Sequence, residues 1–424
     1  MDEDGEEMEE MVINGEERKS KFWEEKENNG FLERLRESVV LAEVKAIFKL
    51  SFGMILSNAF LFLMGITDLI FLVRQFSSIF LTSETKLTRN CKGHIGEAEL
   101  AGAGLANSFS YITGYLAFSL QTGMDTLVPQ AMGAGNHEMV GRVLQTCMLV
   151  VLCACIPVGG LWAVGKQIMG TLIPSGRMLD LSSTFLFHLL PGLLPLALFS
   201  VLKSFFDNQQ NVRPGILVSF FCFILNIFFN WFFIHNLQMG FVGSPVATSV
   251  SRFCLAGLML AYIYLERPLA QFWTWSWDFM RPKYLAKYLR LAVPSGVMLV
   301  LEVTGFEVIT LMAGKLGDLM ISANTIGFSV LYISFLFPFG FSNGTSARVG
   351  SFLGENNSDF AKKVAAIGFT LTAVWMTLNI TVILIFRVYI VKAFSNDTAV
   401  IEASAKLMFF LCGVTVRISH IFIL

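Results

Sequence analysis

The sequence predicts an all-α polytopic membrane protein built from two parallel six-helix repeats, the second cut to about four helices. Three observations predict this: an apolar composition, ten segments able to cross a bilayer, and self-similarity between the halves. Of 424 residues, 54% are hydrophobic and only 15% are charged, against about 25% charged in a soluble domain. Mean hydropathy is +0.62.

In chain order, residues 1–45 hold 15 acidic against 7 basic residues and no apolar run. They predict a disordered, cytosolic N-terminus without the charged-then-apolar layout of a signal peptide. A crossing helix needs about 20 mostly apolar residues. Spans are therefore predicted near 47–73, 99–122, 143–164, 181–202, 214–236 and 243–264 in the first repeat, residues 46–265. A cytosolic linker, 266–288, carries Trp273, Trp275 and Trp277, which favour the membrane interface. The second repeat, 289–424, holds spans near 289–313, 320–343, 365–391 and 401–424. Arg34, Arg36, Lys45 and Lys49 before and within the first span point the N-terminus inward. Asn396 lies in a loop predicted external, which makes it a glycosylation site to test. Of the seven cysteines, six lie in apolar segments, where Cys acts as a small hydrophobe. Cys91 stands alone in a loop, so neither a disulfide framework nor a metal-ligand spacing is readable.

The repeat rests on two shifts. A shift of 221 residues sets GEAELAGAGLANSF (96–109) over GDLMISANTIGFSV (317–330) and pairs Gly123 with Gly344, Gly133 with Gly354 and Asn136 with Asn357. A shift of 241 sets FKLSFG (48–53) over LRLAVP (289–294), the difference being an insertion around 74–93. Parallel repeats of this size suit alternating access with a substrate held between two lobes.

Ionisable groups at bilayer depth are costly, about 2.5–3.5 kcal/mol each on insertion scales, and mark cavities or partners. Asp68, Glu302 and Glu307 are three such groups. The two glutamates, five residues apart, sit roughly 140° apart around an ideal helix. Pro294 and Gly305 could loosen that helix enough for both to border one cavity. A carboxyl stripped of water there can take and release a proton near neutral pH; its bland counterpart is an acid that stays neutral on a backbone carbonyl. Asn226 and Asn230 share a helix face at i, i+4, and Thr248 opens the next span. With Asp68 they form a polar cluster inside the first lobe, or else the asparagines only glue helices together. His188, before a Pro-Gly break, reads as packing.

These residues resemble the multidrug and toxic compound extrusion (MATE) family of antiporters, eukaryotic type, from about residue 46 to residue 400. The segment VPSGVMLVLEVTGFEVITLMAG is similar to the family's seventh helix, with its Pro-Ser opening and two glutamates. DTLVPQAMGAGN (125–136), with Gln130, Gly133, Gly135 and Asn136, resembles the segment after the second helix. FSNGTSARVGSFLGENN (341–357), with Arg348, Val349, Gly354 and Asn357, resembles its counterpart in the second lobe. The resemblance implies a V of two lobes and twelve helices. It implies export of organic cations, drugs or secondary metabolites in exchange for protons or sodium, with no other cofactor. By the same resemblance Glu302 is the proton and substrate carboxylate with Glu307 beside it, and Asp68 is the first-lobe aspartate, with Asn226, Asn230 and Thr248 as companions. One companion is often Asp, where this chain has Asn230. The last two helices of the pattern are missing, and the tenth carries Arg417, Ser419 and His420 where many members have an acid.

Exchange is then a competition: a carboxylate cannot hold a proton and a cationic substrate fully at once. The alternatives are a truncated MATE-like protein that no longer transports and a lipid flippase of related fold. A flippase would favour cavity arginines, for which only Arg252 and Arg417 are candidates. No catalytic or acidic metal-binding motif of a membrane enzyme is readable. The expected partners are a small-molecule cation or metabolite and membrane lipid, with no nucleic acid and a monomeric chain. The expected site is the plasma membrane or a vacuolar or other internal membrane.

Overall fold

The structure, a computed structural model, describes residues 31–82, 92–172, 176–266, 277–315, 318–392 and 398–421. The described residues are helical almost throughout and contain no strand. The first half comprises α1 (Phe31–Thr82), α2 (Lys92–Phe118), α3 (Thr122–Gly133), α4 (His137–Ala163), α5 (Gly165–Leu172), α6 (Arg177–Leu189), α7 (Leu193–Asn208), α8 (Arg213–Trp231) and α9 (Gly243–Glu266). The second half comprises α10 (Pro282–Lys315), α11 (Asp318–Gly354), α12 (Ser358–Lys392) and α13 (Thr398–Ile421). Within the described residues, each of the ten predicted spans falls on helix. Eight stretches are both long and apolar enough to cross a membrane; the spans predicted at 99–122 and 401–424 fall outside that set.

Two expected boundaries move. Residues 31–45, read from sequence as disordered, form the start of α1. FLERLRESVVLAEVK holds three Leu, three Glu and two Arg, all strong helix formers, and acidic balance alone did not decide its state. The linker is shorter than expected, because α10 already begins at Pro282, with Pro at the helix start where its missing N–H costs nothing. Asn396, Cys91, Trp273 and Trp275 lie outside the described residues, as does most of the acidic N-terminus.

The repeat is visible in backbone detail. After α3, the N–H groups of Ala134, Gly135 and Asn136 bond the carbonyls of Gln130, Met132 and Ala131. After α11, those of Glu355, Asn356 and Asn357 bond Ser351, Leu353 and Phe352 in the same pattern, 221 residues on. Gly135 has φ +66° and Asn356 has φ +62°, the left-handed turn that Gly and Asn tolerate at a helix end. Asn136 then caps α4 by accepting from Met139 N at 2.9 Å, and Asn357 caps α12 by accepting from Phe360 N at 3.2 Å. Gly135, Asn136 and Asn357 thus have a structural account.

The two halves meet in paired crossings that obey the same shifts. A Cβ on Gly133 would strike the Ser351 carbonyl, and one on Gly354 would strike the Gln130 carbonyl. Gln130 and Gly133 correspond to Ser351 and Gly354 by the shift of 221, so α3 and α11 cross backbone to backbone about a local two-fold. Gly344 likewise packs on Ser51 of α1, and Gly123 packs on Tyr288 and Ala292 of α10. Small residues let backbones approach where lipid offers no hydrophobic drive. These crossings join the first halves of α1 and α10 to α3 and the last third of α11, and they close that end of the space between the halves. Gly65 and Gly305, further along α1 and α10, have no atom within 4 Å of a built Cβ.

The first half packs round one apolar core that includes Met124, Leu144, Leu186, Phe199, Phe205 and Phe206, and Tyr288 and Ala292 of α10 enter it. The Tyr288 hydroxyl donates to the Leu120 carbonyl at 2.8 Å, which gives its buried polar tip a partner. A polar knot lies inside this half. Ser204 and Asn208 of α7 donate to Asp125 Oδ1 at 2.8 and 2.7 Å, and Lys203 pairs with Asp207 at 2.8 Å.

Candidate functional site

Asp68 on α1 lies in the interior of the first half. Its Oδ1 accepts from Asn226 Nδ2 at 3.0 Å and Asn230 Nδ2 at 2.7 Å, and its Oδ2 accepts from the Thr248 hydroxyl at 2.7 Å. Asn226 and Asn230 are fully buried, one helical turn apart on α8, which brings both amides to one carboxylate. Thr248 stands on the facing turn of α9, and Ser251 of the same helix accepts from Asn226 at 3.2 Å. The geometry forms the polar cluster, and the same hydrogen bonds tie α8 to α1 and α9, so the asparagines also join helices. The side-chain carbonyl oxygens of both asparagines are buried without a hydrogen-bond partner among the described residues. Arg252, four residues past Thr248, lies within electrostatic reach of Asp68 and of Tyr111. Its alkyl chain packs on Gly192, and one of its guanidinium nitrogens is buried without a hydrogen bond.

Glu302 and Glu307 are half-buried on α10, and no hydrogen bond to either carboxyl occurs among the described residues. Both lie on the side of α10 facing α2: Glu302 is within electrostatic reach of Tyr115 and Glu307 of Tyr111. Tyr111 and Tyr115 stand at i, i+4 with their rings stacked, centroids 6.0 Å apart. Across the halves, Phe62 of α1 stacks on Tyr332 of α11 at 4.3 Å, and Tyr332 is near both α2 tyrosines. Two second-half carboxyls and three tyrosines therefore border one space between the halves, beyond the crossings that close its other end. The angular offset that seemed to separate the glutamates does not keep them from a common space, because two successive turns of α2 face them. Pro294 lies inside α10 without ending it.

Arg348 sits at the closed end and bridges the halves: Nε donates to Glu43 Oε2 at 3.0 Å, Nη2 to Glu43 Oε1, and Nη1 to Gln210 Oε1 at 3.0 Å. The backbones of Arg417, Ser419 and His420 belong to α13, while their side chains lie outside the described set. The His188 ring bonds the Thr184 carbonyl at 2.8 Å, within its own helix. The described cysteines, 147, 153, 155, 222 and 254, are free thiols.

Sequence reading missed the three tyrosines, Ser251 and Glu43. The tyrosines did leave a signal, since SYITGY places two phenols a turn apart in an otherwise apolar span. Glu43 left none, because its partner is 305 residues away.

Fold and sites define a multi-pass helical membrane protein of two related halves, joined at one end and with ionisable side chains in the space between them. Residues 75–232 and 294–424 match the family model MatE, more than half of the chain, so this chain belongs to that family. Its relatives include "Multidrug and toxin extrusion protein 1" of Mus musculus, 29% identical over 381 residues, which cover 89% of this chain and 62% of that protein. The Homo sapiens protein of the same name is 29% identical over 341 residues, 80% of this chain and 58% of its own length. The chain thus spans less than two thirds of these relatives. Among solved structures, the eukaryotic MATE transporter AtDTX14 superposes with a TM-score of 0.76 at 23% identity, covering 88% of this chain and 79% of that one. An outward-facing multidrug resistance MATE family transporter superposes with a TM-score of 0.75 at 17% identity, covering 90% and 81%. Likeness at such identities concerns the fold alone.

Proposed function

We propose that this protein is a secondary antiporter that exports organic cations, drugs or secondary metabolites in exchange for protons, or for sodium, by alternating access. The observation that carries the reading is the placement of Glu302 and Glu307, without hydrogen-bonded partners among the described residues, beside Tyr111, Tyr115 and Tyr332 between the halves. A carboxylate supplies charge for a cation, and phenol rings add cation–π attraction of about 0.5–2 kcal/mol each while tolerating many shapes. Such a site selects loosely, which suits the extrusion of drugs and toxins named for the relatives.

Glu302 is the group for which proton and substrate compete, with Glu307 beside it. Asp68, held by Asn226, Asn230 and Thr248, is a second ionisable site in the first half, and Arg252 is its fixed counter-charge. The N-terminus is cytosolic in this reading, so the closed end faces the cytosol and the open end faces the acidic side. Protonation of Glu302 there releases the cation; parting of the closed end then returns the site to the cytosol, where loss of the proton re-arms it. The coupling ion is the only cofactor required, and the functional unit is one chain in lipid of the plasma membrane or a vacuolar or other internal membrane.

The test is efflux of a fluorescent organic cation from proteoliposomes under an imposed pH gradient, for the 424-residue chain and for Glu302→Gln. Gradient-driven flux that the variant loses supports the reading. Flux that the variant retains removes Glu302 from the mechanism. No flux from the unmutated chain favours the alternative of a MATE-like protein that does not transport by itself.

A further inference from the structure

The closed end is symmetric in its glycine crossings and asymmetric in its charges. By the two repeat shifts, Arg348 corresponds to Leu127 and Glu43 to Tyr284. The α1–α11 side therefore holds a two-pronged ion pair between the halves, capped by Gln210. The mate side holds buried Leu127 and a neutral phenol. Arg142 donates to that Tyr284 hydroxyl at 3.1 Å and lies over its ring, but its other nitrogen pairs with Glu138 on its own helix.

The charged side is also the more built of the two. Glu43 is 8% exposed, and the Arg348 guanidinium lies 5.1 Å from the centroid of the Phe352 ring below it. Gln210 is held with φ +62° in a turn whose N–H groups bond the carbonyls of Asp207 and Phe206 at the end of α7. This is the same helix-end turn that Asn356 makes, and here it presents the Gln210 amide oxygen to a cation from the other half. The Glu43 and Arg348 side chains are only 11% and 21% exposed, and Ile47, one turn past Glu43, and Ala347, beside Arg348, are buried, so the pair is less screened than a surface pair. The fork geometry of Arg also makes the contact directional, so a small rotation of α1 against α11 breaks both prongs together.

We propose that Glu43, Arg348 and Gln210 form a one-sided lock that holds this end of the molecule shut and must open before the space between the halves can be reached from that end. Arg348 is then a gating residue. The small-residue crossings permit closure, and the lock determines how long it lasts. The consequence for transport rests on the antiport reading; the lock itself does not.

The test is amide hydrogen exchange on the full chain in lipid nanodiscs, with neither substrate nor gradient. The informative peptides cover residues 41–55, 125–136 and 343–357, and a peptide over 222–232, inside the first half, is the control. In the unmutated protein the first three are protected. In Arg348→Gln they exchange about tenfold faster or more, because the removal of one partner from a shielded charge pair shifts the local opening equilibrium at least that far. The control keeps its rate. Gln210→Ala gives a smaller acceleration in the same peptides. The exchanged pair, Glu43→Arg with Arg348→Glu, returns their rates toward the unmutated values.

Unchanged exchange in Arg348→Gln would overturn the lock. So would acceleration that includes the control peptide and persists in the exchanged pair, because the residues would then serve folding and not gating. Since the measurement needs no flux, it stands or falls separately from the effect of Glu302→Gln on transport.

Discussion

Asp68 and the Glu302–Glu307 pair are both carboxyl sites at membrane depth, yet they are built in opposite ways. Asp68 receives three side-chain hydrogen bonds from two neighbouring helices and has Arg252 nearby. The glutamates receive none among the described residues and face aromatic rings across a gap between the halves. The first site is already satisfied by the protein and has little left to offer a bulky ligand. The second is unfinished, and what completes it must come from outside: a proton or a cation. In the proposed antiport this makes Glu302 the exchange site and Asp68 an element that ties α1, α8 and α9 together according to its charge.

The contrast can be broken most severely at Glu302. Glu302→Gln is expected to cut gradient-driven flux on the order of a hundredfold, by removal of a poorly solvated charge from the substrate site. Its thermal stability should stay within about 0.5 kcal/mol, since no hydrogen bond is lost. A loss of both flux and fold would erase the distinction between the two sites.

Asp68→Ala should behave in the reverse sense. It takes one acceptor from each of the Asn226 and Asn230 amides and the Thr248 hydroxyl, which keep Ser251, the Asn226 carbonyl and the Ser244 carbonyl as their other acceptors, so the cost is about 1–3 kcal/mol in all. Thermal unfolding in detergent should show that loss, with Asp68→Asn milder because it keeps an acceptor. Thr248→Val removes one donor and should cost about 1 kcal/mol. Smallest of all is Tyr115→Phe, which keeps the ring and should leave cation affinity within about twofold, whereas Tyr115→Ala should weaken it about threefold to fivefold. Equal effects from both Tyr115 variants would shift the interaction from the ring to the hydroxyl.

How much of this was legible in the sequence differed between the two sites. The Asp68 cluster was readable because its members are local signals: an acid in an apolar span, an i, i+4 asparagine pair and a threonine at a helix start. The glutamates were readable by the same cost of burial. Their surroundings were legible only in part: SYITGY sets Tyr111 and Tyr115 a turn apart, but nothing local ties them or Tyr332 to the glutamates until α2, α10 and α11 come together. The repeat was legible down to single residues, since Gly133 and Gly354 must both lack a side chain for the same backbone crossing. The helix at 31–45 was misread because net charge is a whole-segment property, and the burial of Glu43 against Arg348 is a tertiary one. The two crossings of the closed end differ in charge for a reason that no local pattern encodes, since the partners lie 305 and 138 residues apart in sequence.

Competition for Glu302 is the central claim, and it is tested most directly by counting protons when a cation binds. Titration calorimetry of the purified chain with an organic cation, in buffers of differing ionisation enthalpy, reads that count. The account predicts proton release on binding, apparent affinity that falls as pH falls because each bound proton removes the charge that holds the cation, and neither effect in Glu302→Gln. Cation binding without proton release, at equal affinity across pH and unchanged in Glu302→Gln, would contradict it.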